Sequence, residues 1–391
     1  MSGTWPFFAE DERAAAVRVL ESGRVNYWTG EEARSFETEF LAYTGARHAV
    51  ALANGTVAIE LALHALGIGP GDDVVVPART FVGTATAVVV RGARPIVADV
   101  DRDSGNVTAG TIEAAVTPAT RAVIPVHLGG WPCDMDAIMA LAEARGLFVI
   151  EDCAQAHGAR WSGRHVGTFG HIGAFSFCQD KIMTTAGEGG MLVTDDEDLW
   201  RRAWEYKDHG RSMAAMERAA ADRWHAFKYV VESFGTNWRM TEIQAAVGRV
   251  QLTKLDEWVA VRRRNANVLL RDLAGIPGLR LSVPPGEAFH SYYKFYAYIE
   301  PGALAPGWTR SRVQGEMIER GVPCFQGSCP EIYREKAFVD AGLAPAAPLP
   351  VAAELGESSI MLLVDPTHTE QDMLTAARTL RDVMLEATGG A

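Results

Sequence analysis

Short apolar runs alternate with segments of helical periodicity through the first half of the chain. The apolar runs predict buried strands at 48–52, 73–77, 94–98, 122–126 and 147–151. Helices are predicted before and between them, at 11–22, 31–43, 55–66, 80–91, 108–116 and 134–145. Strands that alternate with helices indicate right-handed crossovers and a mainly parallel sheet. Because ligands bind at the carboxyl ends of such strands, we expect the site to follow Leu52, Pro77, Val126 and Glu151.

The pattern changes twice further along the chain. Strands at 173–177 and 190–194 and a helix at 197–207 are followed by a polar, irregular segment at 211–235. A long helix is predicted at 240–271, with a break near Lys254. Proline and glycine then cluster from about position 275. A strand at 293–299, a helix at 310–320, another strand and a last helix at 369–385 are predicted after them. We interpret this last part as a smaller C-terminal α+β domain.

Composition narrows the possible partners. The 391 residues carry a formal net charge of −12, which disfavours nucleic acid as a partner. The five cysteines are scattered and form no C-x-x-C, so neither a disulfide framework nor a zinc site is expected, and no other metal-ligand spacing is present. No apolar run approaches the ~20 residues of a membrane span, and the first ten residues lack signal-peptide character. A cytoplasmic protein without a membrane partner is expected.

Lys181 is the first candidate for chemistry. Only six lysines occur in the chain, and this one lies between the apolar run 175–177 and the glycine-rich segment 184–190. A desolvated lysine amine can form a Schiff base with a carbonyl cofactor. The alternative from position alone is a solvated lysine in a loop.

Two further candidates follow predicted strands. Asp152 comes at the carboxyl end of the 147–151 strand, where a carboxylate could pair with a protonated pyridine nitrogen. Gly55 and Thr56 lie between a strand and a helix, where backbone amides and the helix dipole can hold a phosphate. The alternatives are a turn or cap residue at 152 and a plain helix cap at 54–56.

Motifs of several other enzyme classes are absent from the sequence. No G-x-G-x-x-G follows the first strand, and no G-x-x-x-x-G-K-[ST] or G-x-S-x-G occurs. Nicotinamide, P-loop and α/β-hydrolase chemistry are therefore disfavoured.

The candidate residues fall within a series of motifs that spans nearly the whole chain. The stretches are Ala53-Asn-Gly-Thr56, Gly67-Ile-Gly-Pro-Gly-Asp72, Thr80-Phe-Val-Gly-Thr-Ala85, Ile124-Pro-Val-His-Leu-Gly129, Glu151-Asp-Cys-Ala-Gln-Ala-His-Gly158, Phe175-Ser-Phe177 through Lys181, Gly187-Glu-Gly-Gly190 and Gly235-Thr-Asn-Trp-Arg-Met240. In this order they resemble the DegT/DnrJ/EryC1/StrS sugar aminotransferases, a fold-type I branch of the enzymes that use pyridoxal 5′-phosphate (PLP). The resemblance implies an αβα sandwich with a seven-stranded sheet at 1–250 and a smaller domain at 251–391.

The same resemblance implies a role for each candidate. Lys181 would form the Schiff base and shuttle protons, and Asp152 would pair with the pyridine nitrogen. The other cofactor-binding residues would be Gln155 at the phenolic oxygen, Phe81 stacked on the ring, Gly55, Thr56 and Ser176 at the phosphate, and Asn237 at the phosphate of the neighbouring subunit. A homodimer with shared active sites follows from the last of these.

The implied reaction moves an amino group from glutamate or glutamine to a keto sugar carried on a nucleotide diphosphate. Two segments depart from the pattern of many members, at Phe177-Cys-Gln-Asp-Lys181 and Ser291-Tyr-Tyr-Lys294, both placed where the substrate would be recognised. A cyclitol or aminoshikimate-type ketone is therefore an alternative substrate. A PLP-dependent sugar dehydratase would have histidine in place of Lys181, and a PLP-binding regulator would carry an additional DNA-binding domain.

Overall fold

The computed structural model describes residues 5–221 and 229–390, in which helices and short strands alternate. The helices are α1 (Glu10–Ser22), α2 (Glu32–Thr44), α3 (Gly55–Ala65), α4 (Gly83–Val90), α5 (Ala109–Ala115), α6 (Met135–Arg145), α7 (Glu197–Lys207), α8 (Met213–Ala221), α9 (Glu242–Asp272), α10 (Arg310–Glu319), α11 (Lys336–Asp340), α12 (Pro350–Ser358) and α13 (Glu370–Ala387). The strands are β1 (His48–Leu52), β2 (Asp73–Pro77), β3 (Arg94–Ala98), β4 (Thr120–Val123), β5 (Phe148–Asp152), β6 (Arg160–Trp161), β7 (Arg164–His165), β8 (Ile172–Ser176), β9 (Gly190–Thr194), β10 (Leu279–Arg280), β11 (Ala288–Phe289), β12 (Phe295–Ile299), β13 (Cys324–Phe325) and β14 (Ser359–Leu362).

Seven strands form the central sheet, in the order β1-β9-β8-β5-β4-β2-β3. Strand β9 runs antiparallel to both β1 and β8, and the remaining pairs are parallel. Every residue of β2, β8 and β9 is buried, as expected for strands covered on both faces by helices. The predicted mainly parallel seven-stranded sheet is confirmed.

The fourth predicted strand was placed too late in the chain. It spans Thr120–Val123 rather than 122–126. Pro125 explains the difference, because proline has no N–H to continue the ladder. Just after this strand, the Ile124 amide donates a hydrogen bond to the Val75 carbonyl at 2.8 Å. Further along, only an isolated bridge between Val126 and Asp152 continues the pairing.

The predictions for the segments 211–235 and 240–271 were also wrong in part. The segment 211–235 contains the helix α8, which is rich in alanine and methionine, both strong helix formers. The rest of that prediction falls partly on residues 222–228, which lie outside the described residues. Helix α9 continues through Lys254 without a break, and the Lys254 ammonium pairs with Asp11 of α1 at 2.7 Å.

A second hydrophobic core lies in the C-terminal part of the chain. It is built by buried residues between Ala266 and Ala387, and it packs beneath a four-stranded sheet of order β10-β12-β14-β13. Helix α9 contributes to this core and to the larger one, so it crosses position 250 as one element. The division into 1–250 and 251–391 stays a proposal. None of the described helices is long and apolar enough to cross a membrane.

Candidate active site

A cavity of about 800 Å³ opens where β1, β2, β5 and β8 end. Its other wall comes from the C-terminal part of the chain, including Tyr293, Lys294 and Tyr296. Most of the residues singled out from the sequence line this cavity, namely Gly55, Thr56, Phe81, Asp152, Gln155, Ser176 and Lys181. Asn237 does not line it: this residue is exposed on its own chain and forms an isolated backbone bridge with Asp208.

The first turn of α3 and the end of β8 form a cradle for an anion. Asn54 caps α3 by accepting a hydrogen bond from the Val57 amide at 3.0 Å. A Cβ atom at Gly55 would lie 2.4 Å from the Cβ of Ser176, so only glycine allows this close approach. The backbone amides at the start of α3 therefore lie beside the Ser176 hydroxyl, an arrangement suited to a phosphate group.

Asp152 presents a buried carboxylate to the cavity. One oxygen accepts a hydrogen bond from the Ala154 amide at 3.0 Å, and the other accepts one from the Thr84 hydroxyl at 2.8 Å. Burial raises the pKa of Asp152, although these two hydrogen bonds and the charge of Lys181 oppose the rise. A cation that entered the cavity would stabilise the ionised carboxylate, which makes Asp152 a suitable partner for a protonated ring nitrogen.

Gln155 has its side-chain oxygen occupied. That oxygen accepts a hydrogen bond from the Gly129 amide at 2.8 Å. The NH₂ group of the same amide is then the end left to donate towards the cavity. Gln155 can accordingly donate to a phenolic oxygen, the role that the family resemblance implies.

A buried cluster of His127, Glu151 and Cys153 lies behind this edge, with ligand atoms within 4.8 Å of one another. No metal-ligand spacing in the sequence indicates this cluster. Glu151 accepts hydrogen bonds from the amides of Gly167, Phe169 and Gly170 at 2.7 Å and contacts His127 Nε2 at 3.1 Å. Because the carboxylate is engaged by these donors, we assign the cluster a structural role in holding the 127–130 and 166–170 segments.

Lys181 lines the same cavity as Asp152, and its charge acts on that carboxyl. Its Nζ is 5.0 Å from the centroid of the Tyr293 ring. The Tyr293 hydroxyl donates a hydrogen bond to Asp180, the residue before the lysine. Burial alone would raise the pKa of Asp180, but Lys181 and this hydrogen bond outweigh it, and the pKa is lowered. The ionised Asp180 thus ties the lysine segment to the C-terminal wall.

These features together fit PLP. The cradle at Gly55 and Ser176 suits the phosphate of PLP. The Asp152 carboxylate suits its ring nitrogen, and the Lys181 amine suits its aldehyde. The Phe81 ring is 63% exposed at the cavity, so one face is free to stack on a planar ligand.

Thr84, Asp180 and Tyr293 were not singled out for these roles from the sequence. Thr84 could have been found, because it lies one helical turn after Thr80 in a segment that follows a strand end. The contact between Asp180 and Tyr293 joins positions 113 residues apart, and no local pattern reports it.

Known proteins share the sequence pattern and the fold of this chain. Residues 7–381 match the model of the DegT/DnrJ/EryC1/StrS aminotransferase family. A crystal structure of the aminotransferase from Psychrobacter cryohalolentis is 49% identical, with a TM-score of 0.96 over 98% of this chain and 99% of that one.

Two curated relatives differ in what they act on. The dTDP-3-amino-3,4,6-trideoxy-alpha-D-glucose transaminase of Streptomyces venezuelae is 37% identical and covers 92% of this chain and 88% of its own. The 3-amino-5-hydroxybenzoate synthase of Amycolatopsis mediterranei is 38% identical, over 86% of this chain and 84% of its own. The chain belongs to the DegT/DnrJ/EryC1/StrS aminotransferase family and is a PLP-dependent aminotransferase.

Proposed function

We propose that the enzyme transfers an amino group from glutamate, or glutamine, to a keto group of a nucleotide-diphosphate-linked sugar. The observation that carries the proposal is the meeting of Lys181, Asp152 and the anion cradle in one cavity of about 800 Å³. That volume is towards the upper end of the ~300–1,000 Å³ of small-molecule sites, which suits a large substrate. The 37% identical transaminase named for a dTDP-linked sugar supports this substrate class.

PLP, when bound, supplies an electron-withdrawing ring that acidifies the Cα–H bond of the donor and carries the amino group to the acceptor. Lys181 would bind the aldehyde carbon of PLP through Nζ, and the same Nζ would afterwards move the Cα proton of the amino donor. Asp152 would keep the ring nitrogen protonated, and Gln155 would donate to the phenolic oxygen.

The rest of the cofactor site orients the ring and holds the phosphate. Phe81 would stack on the ring, while Gly55, Thr56 and Ser176 would bind the phosphate. Asn237 of the partner subunit would complete the phosphate site, which makes the active unit a homodimer. The exposure of Asn237 outside its own cavity supports this placement.

An aminoshikimate-type ketone is the second candidate acceptor. It is favoured by the 38% identical 3-amino-5-hydroxybenzoate synthase. The two candidates differ in the nucleotide diphosphate, which only the sugar substrate carries.

A half-reaction distinguishes these acceptors. The pyridoxamine form of the enzyme is mixed separately with nucleotide-linked keto sugars and with an aminoshikimate-type ketone, and the absorbance of the PLP form is followed. Recovery of that absorbance with a keto sugar, and its inhibition by the free nucleotide diphosphate, is expected. Recovery with the unlinked ketone alone would reject the sugar substrate.

A further inference from the structure

Few cationic side chains line the cavity. Among the described residues that line it, only Lys181 and Lys294 are cationic, whereas Asp152, Asp180 and Glu188 are acidic. An amino acid donor brings a carboxylate into this acidic environment, and a carboxylate needs a cation or several strong donors there. Lys181 is engaged with the cofactor in the proposed reaction, so Lys294 is the cation that remains among these lining residues.

The backbone fixes Lys294 beside the cofactor site. Its amide donates to the Gly129 carbonyl at 3.3 Å, and the Gly129 amide holds the side chain of Gln155. The Nζ atom of Lys294 lies 4.5 Å from the centroid of the Tyr293 ring, and that of Lys181 lies 5.0 Å from the same centroid. The two amines thus converge on one aromatic ring.

The ammonium group of Lys294 has no fixed partner. Within the described parts of the chain it makes neither a hydrogen bond nor an ion pair, and its Nζ instead lies 4.5 Å from the centroid of the Tyr293 ring. Burial lowers the pKa of Lys294 to about 8; the carboxylates of Asp180 and Asp365 raise it, and the charges of Arg262 and Lys181 lower it further. The group is therefore mainly protonated at neutral pH and available to an anion.

We propose that Lys294 binds the α-carboxylate of the amino donor, an inference that rests on the donor proposed above. The α-carboxylate is attached to the carbon whose proton Lys181 moves, so it must lie close to the Lys181 amine. Lys294 can meet that requirement from within the same cavity, because both lysines line it and both amines lie within 5.0 Å of the Tyr293 ring centroid. Glutamate and glutamine share this carboxylate, so one lysine serves either donor.

The test compares Lys294→Met with the wild type in each half-reaction separately. For the PLP form reacting with L-glutamate or L-glutamine, the KM is expected to rise roughly 10- to 100-fold, the loss of one hydrogen-bonded ion pair. Reaction of the pyridoxamine form with the keto acceptor should change less than about 2-fold. Lys336→Met, at an exposed lysine paired with Asp340, is the matched control and should change neither half-reaction.

Two substrates identify which carboxylate is bound. The wild type should discriminate strongly against the α-amide of L-glutamate, and Lys294→Met should lose that discrimination while Lys294→Arg retains part of it. Binding without turnover is measured by absorbance titration with 2-methylglutamate, which has no Cα proton to lose; its Kd should rise by the same 10- to 100-fold. Unchanged borohydride capture of the cofactor and an unchanged Tm show that the variant is folded and loaded.

Each other outcome overturns the inference. If Lys294→Met impairs only the reaction with the keto acceptor, Lys294 serves that substrate instead. If the variant loses discrimination between glutamate and glutamine but keeps that against the α-amide, it binds the side-chain carboxylate. Unchanged kinetics in both half-reactions would remove Lys294 from binding altogether. If the wild type reacts with neither amino acid, the proposed donor itself is wrong, and the inference is wrong with it.

Discussion

The substitution Gly55→Ala tests the anion cradle directly. The new Cβ would lie 2.4 Å from the Ser176 Cβ and 3.0 Å from both its Cα and its Oγ. An ordinary contact is longer by about 1 Å, and Ser176 is buried at the end of a central strand, so the strand itself would have to move. Such overpacking costs about 1–3 kcal/mol of the free energy of unfolding.

The same movement displaces the Ser176 hydroxyl and places a methyl group beside the amides at the start of α3. Losing one hydrogen bond to the cofactor phosphate should raise the Kd for PLP roughly 10- to 100-fold. Unfolding is followed by thermal denaturation of the cofactor-free protein, and the Kd by absorbance titration with PLP. Gly315→Ala is the matched control, because a Cβ there meets nothing within 4 Å in helix α10, and it should stabilise by about 0.5–1 kcal/mol.

A double-mutant cycle separates the two effects of Gly55→Ala. Adding Ser176→Gly removes the Cβ atom that lies 2.4 Å from the new methyl group. The double variant should therefore lose less stability than the sum of the two single losses, whereas its PLP affinity should stay weak. A Gly55→Ala variant that unfolds at or above the wild-type temperature and binds PLP with unchanged Kd would refute the close contact between Gly55 and Ser176.

Three further predictions concern the proposed chemistry. Lys181→Ala should abolish turnover, and borohydride reduction of the wild type should attach the cofactor to the peptide containing Lys181; attachment at another lysine would contradict the assignment. Asp152→Asn should keep the cofactor but lose most activity, because an amide cannot keep the ring nitrogen protonated, and a rate within ~10-fold of wild type, about 1.4 kcal/mol of barrier, would mean that another group does so. Asn237→Ala should weaken cofactor retention about 10- to 100-fold. Mixing these subunits with Lys181→Ala subunits should raise the activity, because each hybrid dimer has one intact site. If hybrids form but activity does not rise, Asn237 belongs to its own subunit's site.

The sequence reported the sheet well because its strands are short, buried and bounded by turns. The strands at 48–52, 73–77, 94–98 and 190–194 were predicted to the residue. Direction was harder: β9 is antiparallel to both neighbours, yet a run of five buried residues has the same pattern in either direction.

Candidate residues at strand ends were predicted because the fold class brings such ends together, and those around Asp152 and Gly55 do share one cavity. Contacts between distant segments could not be predicted in this way. The Thr84–Asp152 hydrogen bond joins residues 68 apart, and Lys294 reaches the cavity from the position just before β12, a strand that packs on the second core. Chain topology, rather than local periodicity, determines both.

Helix α9 has a consequence for how the cavity can be enlarged. Its 31 residues, at ~1.5 Å each, form a rod about 46 Å long that is shared by the two cores. Arg262, buried on this helix, donates to the Tyr293 carbonyl at 3.2 Å and so attaches the C-terminal wall to the rod. A sharp kink in α9 would break several backbone hydrogen bonds at once. The helix therefore keeps the distance between the two walls of the cavity fixed. Engineering this enzyme for bulkier acceptors should therefore trim side chains such as Tyr296 and Phe325 at the cavity rather than seek a more open arrangement of the two cores.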